Sequence, residues 1–196
     1  MADSNDDYPH GWHKKSEIER LIFSGLHGAP QPNADEKRRY LGLNREQVMA
    51  VLFDHQVKEP AIYIEVANAI KDPRAAIMIL NGSIDVIFTA KYKTLAAAAG
   101  LHVTTVSGPE YSPATGLVVA SDAAVDLEII ECGSRSSRLR SFGISDALIK
   151  CAGKKVCRKC FGLIKSKVPA EAINYKQLNL IDSLTGEYCP AHGDSE

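Results

Sequence analysis

Residues 75–106, AAIMILNGSIDVIFTAKYKTLAAAAGLHVTTV, decide the fold class of this 196-residue chain. The first six of them form a continuous apolar run bounded by turn residues, as in a buried strand. Residues 84–100 then have helical periodicity and end on Gly100, a common residue at helix C-termini. Residues 101–106 form a second strand. Strand, helix and strand in this order predict a βαβ unit with two parallel strands.

More elements are predicted around this unit. Residues 116–121, GLVVAS, read as a further strand after a turn-rich segment. Residues 60–70 read as a helix that the Asp72-Pro73 dipeptide ends. Several helices over a small sheet therefore predict an α/β sandwich.

The N-terminal part of the chain is predicted to be mainly helix and loop. Residues 1–13 are expected to be disordered, and residues 14–26 carry apolar side chains at helical spacing. Two prolines and a glycine predict a loop over residues 27–40. Asn44 and Gln47 have the spacing of a capping box, which predicts that a helix begins there and continues into the apolar residues that follow.

Composition narrows the class of protein. The chain is 45% hydrophobic and 24% charged, as soluble globular proteins are. Its apolar stretches are shorter than the ~20 residues of a membrane span, and its acidic N-terminus does not resemble a secretory signal. We expect a cytosolic protein, no membrane association, and one domain with an appendage.

Four segments resemble the YueI-like proteins, a bacterial family without an established activity. Residues 28–48, GAPQPNADEKRRYLGLNREQV, fit the Pro-rich opening of that family, and residues 79–85, 91–106 and 115–125 fit its later blocks in order. The resemblance extends over about residues 14–130. It implies a small three-layer-like α/β sandwich related to the ribosomal L30e-like and Bacillus chorismate-mutase-like proteins, and it implies no activity. The Gly-x-Asn-Glu turn of L30e-type RNA binding is absent.

Cysteine and histidine are spaced as metal ligands near the C-terminus. Cys157-x2-Cys160 is followed, after 28 intervening residues, by Cys189-x2-His192. Two thiolates on a tight turn supply half of a tetrahedral site, and a second such turn completes the Cys₃His set that is common for structural zinc. In a reducing compartment, crowded cysteines favour a metal over disulfides. We predict a structural zinc site with these four ligands, in a zinc-ribbon or treble-clef arrangement.

Two alternatives to zinc stay open, namely unconnected thiols and a redox-active pair. A redox pair of the thioredoxin type begins a helix after a strand, where the helix dipole lowers the pKa of a thiol. No apolar strand is predicted before Cys157, which counts against this alternative. Cys151 could replace a ligand or lie buried on a helix, and Cys132 is predicted to be a small core residue.

A block of positive charge surrounds the first cysteine pair. Residues 135–167 carry ten Lys and Arg residues against one acidic residue, a net charge of +9 in a chain whose total is −1. Such a block attracts polyanions, because cations placed on phosphates release counterions, although a solvated surface without a partner explains it equally well. Phe161 with Tyr175 or Tyr188 could stack on unpaired bases. The candidate contacts to RNA or a ribosomal surface are Arg135, Arg138, Arg140, Lys154, Lys155, Arg158 and Lys159.

No catalytic motif accompanies these features. The chain contains no P-loop, no G-x-G-x-x-G after a strand, no G-x-S-x-G and no H-E-x-x-H. Ser121-Asp122 lies where a strand ends and a helix is predicted to begin, a position where α/β sheets bind ligands. A helix N-cap explains the two residues more simply.

The sequence thus predicts four segments and three classes of function. The segments are a disordered N-terminus (1–13), a YueI-like α/β domain (14–131), a basic linker (132–150) and a zinc-binding tail (151–196). So small a tail needs a metal to fold, so zinc is expected to be structural. We expect a non-catalytic protein that binds RNA or the ribosome through the tail. The alternatives are an adaptor whose zinc module docks another protein and an enzyme with a site near Asp122.

Overall fold

The computed structural model describes Ser16 and residues 33–179, 181–182 and 186–192. The predicted disordered segment 1–13 and, except for Ser16, the predicted helix 14–26 lie outside these residues. The fold is α/β as predicted, with a mixed four-stranded sheet followed by a smaller C-terminal unit. In chain order the sheet unit contains α1 (Ala34–Arg39), a 3₁₀ turn (Arg45–Gln47), β1 (Val48–Phe53), α2 (Asp54–Lys58), α3 (Ile64–Lys71), β2 (Ile77–Asn81), α4 (Val86–Ala99), β3 (His102–Val106) and β4 (Thr115–Ala120).

The order of strands in the sheet is β1-β4-β2-β3. β2 and β3 pair in parallel, with Ile77 opposite His102, and α4 connects them, which confirms the predicted βαβ unit. β4 runs antiparallel to β1 and β2, its two neighbours. Beyond β1, an isolated bridge joins Val51 to Glu131. β3 therefore forms the edge of the sheet that no other described strand covers.

Each face of the sheet carries a hydrophobic core, because successive side chains of a strand point to opposite faces. Helices α2, α3 and α4 cover the first face, and residues 40–43 and 127–130 contribute to the core on the second. The largest fully buried side chains of the first core are Leu52, Tyr63, Met78, Leu80, Tyr92 and Leu117. None of the described helices combines the length and apolar content that a bilayer span requires.

Two predictions near residue 44 are wrong. The helix expected after Asn44 is strand β1, because five of its six apolar residues are buried between helical and loop segments on the two faces of the sheet. Apolar positions three and four apart fit a helix, but a short apolar run fits a buried strand equally well. The predicted loop 27–40 contains α1, which begins with Asp35 and Glu36 and ends with three basic residues, the charge order that a helix dipole favours.

The C-terminal unit, residues 135–192, has a hydrophobic core of its own. Leu139, Leu148, Val156 and Ile164 are fully buried in that core. Because α5 and α6 supply part of it, the predicted basic linker 132–150 is wrong, and these residues are an integral part of the unit. Its elements are α5 (Arg135–Ser141), α6 (Asp146–Ile149), β5 (Lys155–Val156), α7 (Arg158–Lys167), a 3₁₀ helix (Pro169–Asn174) and β6 (Lys176–Gln177).

Polar contacts join the two units. The Asn174 side chain accepts from the Ile62 amide (2.6 Å) and donates to the Ile62 carbonyl (2.9 Å), as a neighbouring strand would. Arg138 forms ion pairs with Glu65 of α3 and Glu171 of the C-terminal unit. The candidate metal ligands are therefore held on a unit that is fastened to α3.

Candidate metal centre

Cys157 and Cys160 lie at the start of helix α7. Cys157 is the N-cap residue, with extended backbone angles, and Cys160 lies in the first turn. Residues three apart at this position share one side of the helix, so both sulfurs point the same way. The first cysteine pair therefore does not lie on a separate tight turn, because Arg158 and the residues after it continue as a helix.

Cys189 and His192 lie in a turn close to the end of the described chain. The His192 amide donates to the Cys189 carbonyl (3.2 Å), which brings the two side chains to one side of the turn. Lys155 of β5 holds the chain that leads into this turn, because its ammonium group contacts Asp182 (2.6 Å) and Glu187 (2.9 Å), which both precede Cys189. These ion pairs could not be inferred from the sequence, because Asp182 and Glu187 lie 27 and 32 residues from Lys155.

The four ligand atoms converge. All of them lie within 4.8 Å of one another. His192 Nε2 is 3.0 Å from Cys160 Sγ and 3.9 Å from Cys157 Sγ, and the sulfurs of Cys160 and Cys189 are 3.9 Å apart. Donors bound tetrahedrally at ~2.0–2.3 Å from one ion would lie ~3.5–3.8 Å apart. The cluster thus has the dimensions of a Cys₃His site for a metal ion.

The cluster is also electrostatically suited to a cation. Burial opposes ionisation of Cys157, but hydrogen bonds from the Cys160 and Lys159 amides and from the neighbouring thiols lower its pKa. Burial and the neighbouring sulfurs of Cys157 and Cys189 raise the pKa of Cys160 to about 12. Adjacent thiols cannot all lose their protons unless a positive charge lies among them. A divalent cation supplies that charge and displaces the protons.

The other two cysteines lie apart from the ligand atoms. Cys151 is buried in the C-terminal core and its thiol contacts the Ala147 carbonyl at 3.1 Å. Cys132 is buried in the first core of the sheet, as predicted, and burial raises its pKa to about 12. Neither belongs to the cluster of four.

The prediction that no strand precedes Cys157, which counted against a redox-active pair, is wrong. The short strand β5 directly precedes Cys157, and the cysteine pair does begin a helix. What distinguishes this site from an isolated dithiol is the approach of Cys189 and His192 to both sulfurs, which matches metal coordination.

The basic block divides into paired and unpaired residues. Arg135 is buried, and its guanidinium contacts Glu171 (2.9 Å) and the Tyr175 hydroxyl (3.1 Å), so its predicted contact with phosphate is wrong. The buried Tyr175 is likewise unable to stack on a base. Three more candidates form ion pairs: Arg138 with Glu65 and Glu171, Arg140 with the nearby Asp146, and Lys155 with Asp182 and Glu187.

Lys154, Arg158 and Lys159 remain exposed and have no ion pair with any residue that the structure describes. Lys150, Lys165 and Lys167 share this property, so six of the ten cations in residues 135–167 are available. Arg158 and Lys159 adjoin the first ligand pair, and Tyr188, which is 65% exposed, adjoins the second.

The residues around Asp122 do not form the strand-to-helix junction that was expected for an enzyme site. No helix follows β4, because the amides of Ser121 and Val125 donate to the carbonyls of Gln47 and Glu46. The Ser121 hydroxyl accepts from the Ala123 amide instead, in a local turn. Asp122 does not line the clefts of about 380, 320 and 210 Å³ in the described part of the chain.

Known proteins are similar to the sheet unit of this chain. Residues 15–131 match the family described as "Protein of unknown function (DUF1694)". The uncharacterized protein YueI of Bacillus subtilis (strain 168) is 26% identical over 116 residues, which are 59% of this chain and 88% of YueI. The crystal structure of that protein is similar with a TM-score of 0.51 and covers 61% of this chain and 94% of the YueI chain. The Cys₃His cluster lies outside the matched segment.

Proposed function

We propose, on the premise that the chain belongs to the DUF1694 family of proteins of unknown function, that it is a non-catalytic binding protein whose C-terminal unit is stabilised by zinc. The convergence of Cys157, Cys160, Cys189 and His192 carries this proposal. Three thiolates and an imidazole suit zinc far better than magnesium or calcium, which prefer oxygen ligands. Four protein ligands leave no open coordination position, so the ion would be structural.

The ion would join two parts of the C-terminal unit that are distant in the sequence. One ligand pair begins α7, and the other lies in the turn after Lys155's acidic partners. The unit is small, and small units usually need a metal or another cross-link to fold stably. Zinc binding would therefore supply part of the free energy of folding.

Protein purified without a metal-affinity step is expected to contain about one zinc ion per chain, measured by inductively coupled plasma mass spectrometry. Replacing the ion with Co²⁺ should give the visible absorption bands of a tetrahedral thiolate site, because the ligand set is the same. Metal-free protein whose three cluster thiols all react freely in the native state would refute the proposal.

The available cations favour RNA as the partner. Six exposed Lys and Arg residues of the segment 135–167 have no acidic partner among the described residues, and two of them, Arg158 and Lys159, lie between Cys157 and Cys160. Contacts between such cations and phosphates bind without sequence preference. Tyr188 and Phe161 offer aromatic faces beside the metal ligands for unpaired bases. A zinc-stabilised unit would hold these groups in fixed positions.

The double substitution Arg158→Glu/Lys159→Glu is expected to weaken binding of single-stranded RNA at least ~10-fold at low salt, because it reverses two phosphate contacts. Fluorescence anisotropy with a labelled oligonucleotide measures this effect. The matched control is Lys37→Glu/Lys71→Glu, which changes the net charge equally on the sheet unit and should leave most of the affinity. Equal losses in both variants, or binding that does not respond to salt, would exclude a specific role for this surface.

A further inference from the structure

Helix α4 is apolar on every side, including the side that faces solvent. Its fourteen residues, VIFTAKYKTLAAAA, contain only two charges, Lys91 and Lys93. Val86 is 63% exposed and Ile87 is 71% exposed, while Thr89, Tyr92 and Ala96 are buried against the sheet. A helix that is apolar all round normally has both sides covered. The exposed side of α4 therefore has no packing partner among the residues that the structure describes.

Strand β3, at the edge of the sheet next to α4, is likewise left open by the described part of the chain. It pairs in regular register with β2 and with no other described strand. Its five residues contain no Lys, Glu or Pro, the residues that usually prevent edge strands from pairing. Because the Val106 carbonyl accepts from Gly82 on the β2 side, alternation along the strand points the amides of Val103 and Thr105 to the open edge.

The geometry points to a homodimer: we propose that a second copy of this chain covers both surfaces, with β3 pairing antiparallel to β3 and α4 packing against α4 around a two-fold axis. Paired strands are ~4.8 Å apart, and a crossover helix lies roughly above the midline of the strands that it connects. The two α4 axes would then be ~10 Å apart, which is a normal packing distance for helices. A single two-fold axis would thus cover both the exposed side of α4 and the open edge of β3.

Charge on α4 favours a second copy of the chain over an unrelated partner. Asp85, at the N-terminus of α4, and Lys93, two turns later, line one cleft together with Thr105 of β3, so both lie on the flank nearest the open edge. In an antiparallel helix pair, residues at opposite ends of a segment face each other. Each Asp85 would therefore face Lys93 of the other copy, with Ala90, a small side chain that permits close approach, near the axis.

Analytical ultracentrifugation of the full chain between ~1 and ~100 µM tests the proposal. Wild-type protein should sediment as a dimer of about 43 kDa, twice the 21.3 kDa chain. Ile87→Glu should raise the dissociation constant at least ~30-fold, because it places a charge in each half of an apolar interface. The control Ile129→Glu changes an isoleucine that is 82% exposed elsewhere and should leave the dimer intact.

Two further measurements keep the test independent of how well one variant folds. Lys93→Glu should weaken the dimer, and adding Asp85→Asn, which preserves the N-cap, should restore part of the affinity. In wild-type protein, the Val103 and Thr105 amides should exchange faster with deuterium on dilution. A monomer at the highest concentration, or equal effects of Ile87→Glu and Ile129→Glu, would overturn the proposal.

Discussion

Replacing Cys160 with serine is expected to remove the metal and unfold the C-terminal unit. Cys160 is the most buried ligand, and its sulfur is close to both Cys189 Sγ and His192 Nε2. Serine is a poor zinc ligand, and binding of structural zinc is directly coupled to folding. We expect the zinc content to fall close to zero and the unit to lose stability on the order of several kcal/mol.

The two buried cysteines outside the cluster make this loss measurable. Cys151 is buried in the core of the C-terminal unit, and Cys132 is buried in the sheet unit. In the Cys160→Ser protein, an alkylating reagent should modify Cys151, while Cys132 stays protected by its burial and raised pKa. Peptide mass spectrometry identifies which thiol has reacted.

Cys151→Ser is the matched control, because it also removes a thiol from the same core but not from the cluster. It should retain about one zinc ion per chain, since Cys151 is not among the converging ligands. If Cys160→Ser kept its zinc, or if Cys151 remained unreactive in that variant, the cluster would not be what holds the unit together.

An element could be predicted from the sequence when the interactions that determine it lie within a few residues along the chain. The βαβ unit was predictable because a buried strand, a fourteen-residue helix and Gly100 are each encoded within a few residues. Gly100 indeed ends α4 with a positive φ of 71°. Strand β1 was not predictable in this way, because pairing with β4, more than sixty residues later, decides between strand and helix.

The same distinction applies to the candidate site. The four residues of the cluster could be identified from sequence, because few side chains bind soft metals and each pair has a fixed spacing. The basic surface could not be, since Arg135, Arg138 and Lys155 take their acidic partners from distant segments. Glu171 is 36 residues from Arg135, and Glu65 is 73 residues from Arg138. Charge counts along a chain give the number of cations but not which of them are neutralised.

Glu171 is the centre of the contacts that hold the two units together. Its carboxylate accepts from Arg135 (2.9 Å), Arg138 (2.9 Å) and the Asn174 amide group (2.8 Å). The side chains of Glu171 and Arg135 are each only 3% exposed. Asn174 in turn holds the backbone of Ile62 in the sheet unit. One carboxylate thus neutralises a buried guanidinium and orients the amide that joins the units.

Glu171→Gln is accordingly expected to destabilise the protein by ~3–5 kcal/mol, because it leaves the buried Arg135 guanidinium without a counter-charge. That is a large share of the ~5–15 kcal/mol that keeps a typical domain folded. Urea unfolding followed by circular dichroism measures the loss. The control Asp146→Asn removes the exposed pair with Arg140, in which both side chains are more than half exposed, and should cost less than ~1 kcal/mol. Similar costs for the two variants would show that the Glu171 contacts do not fasten the C-terminal unit to the sheet unit.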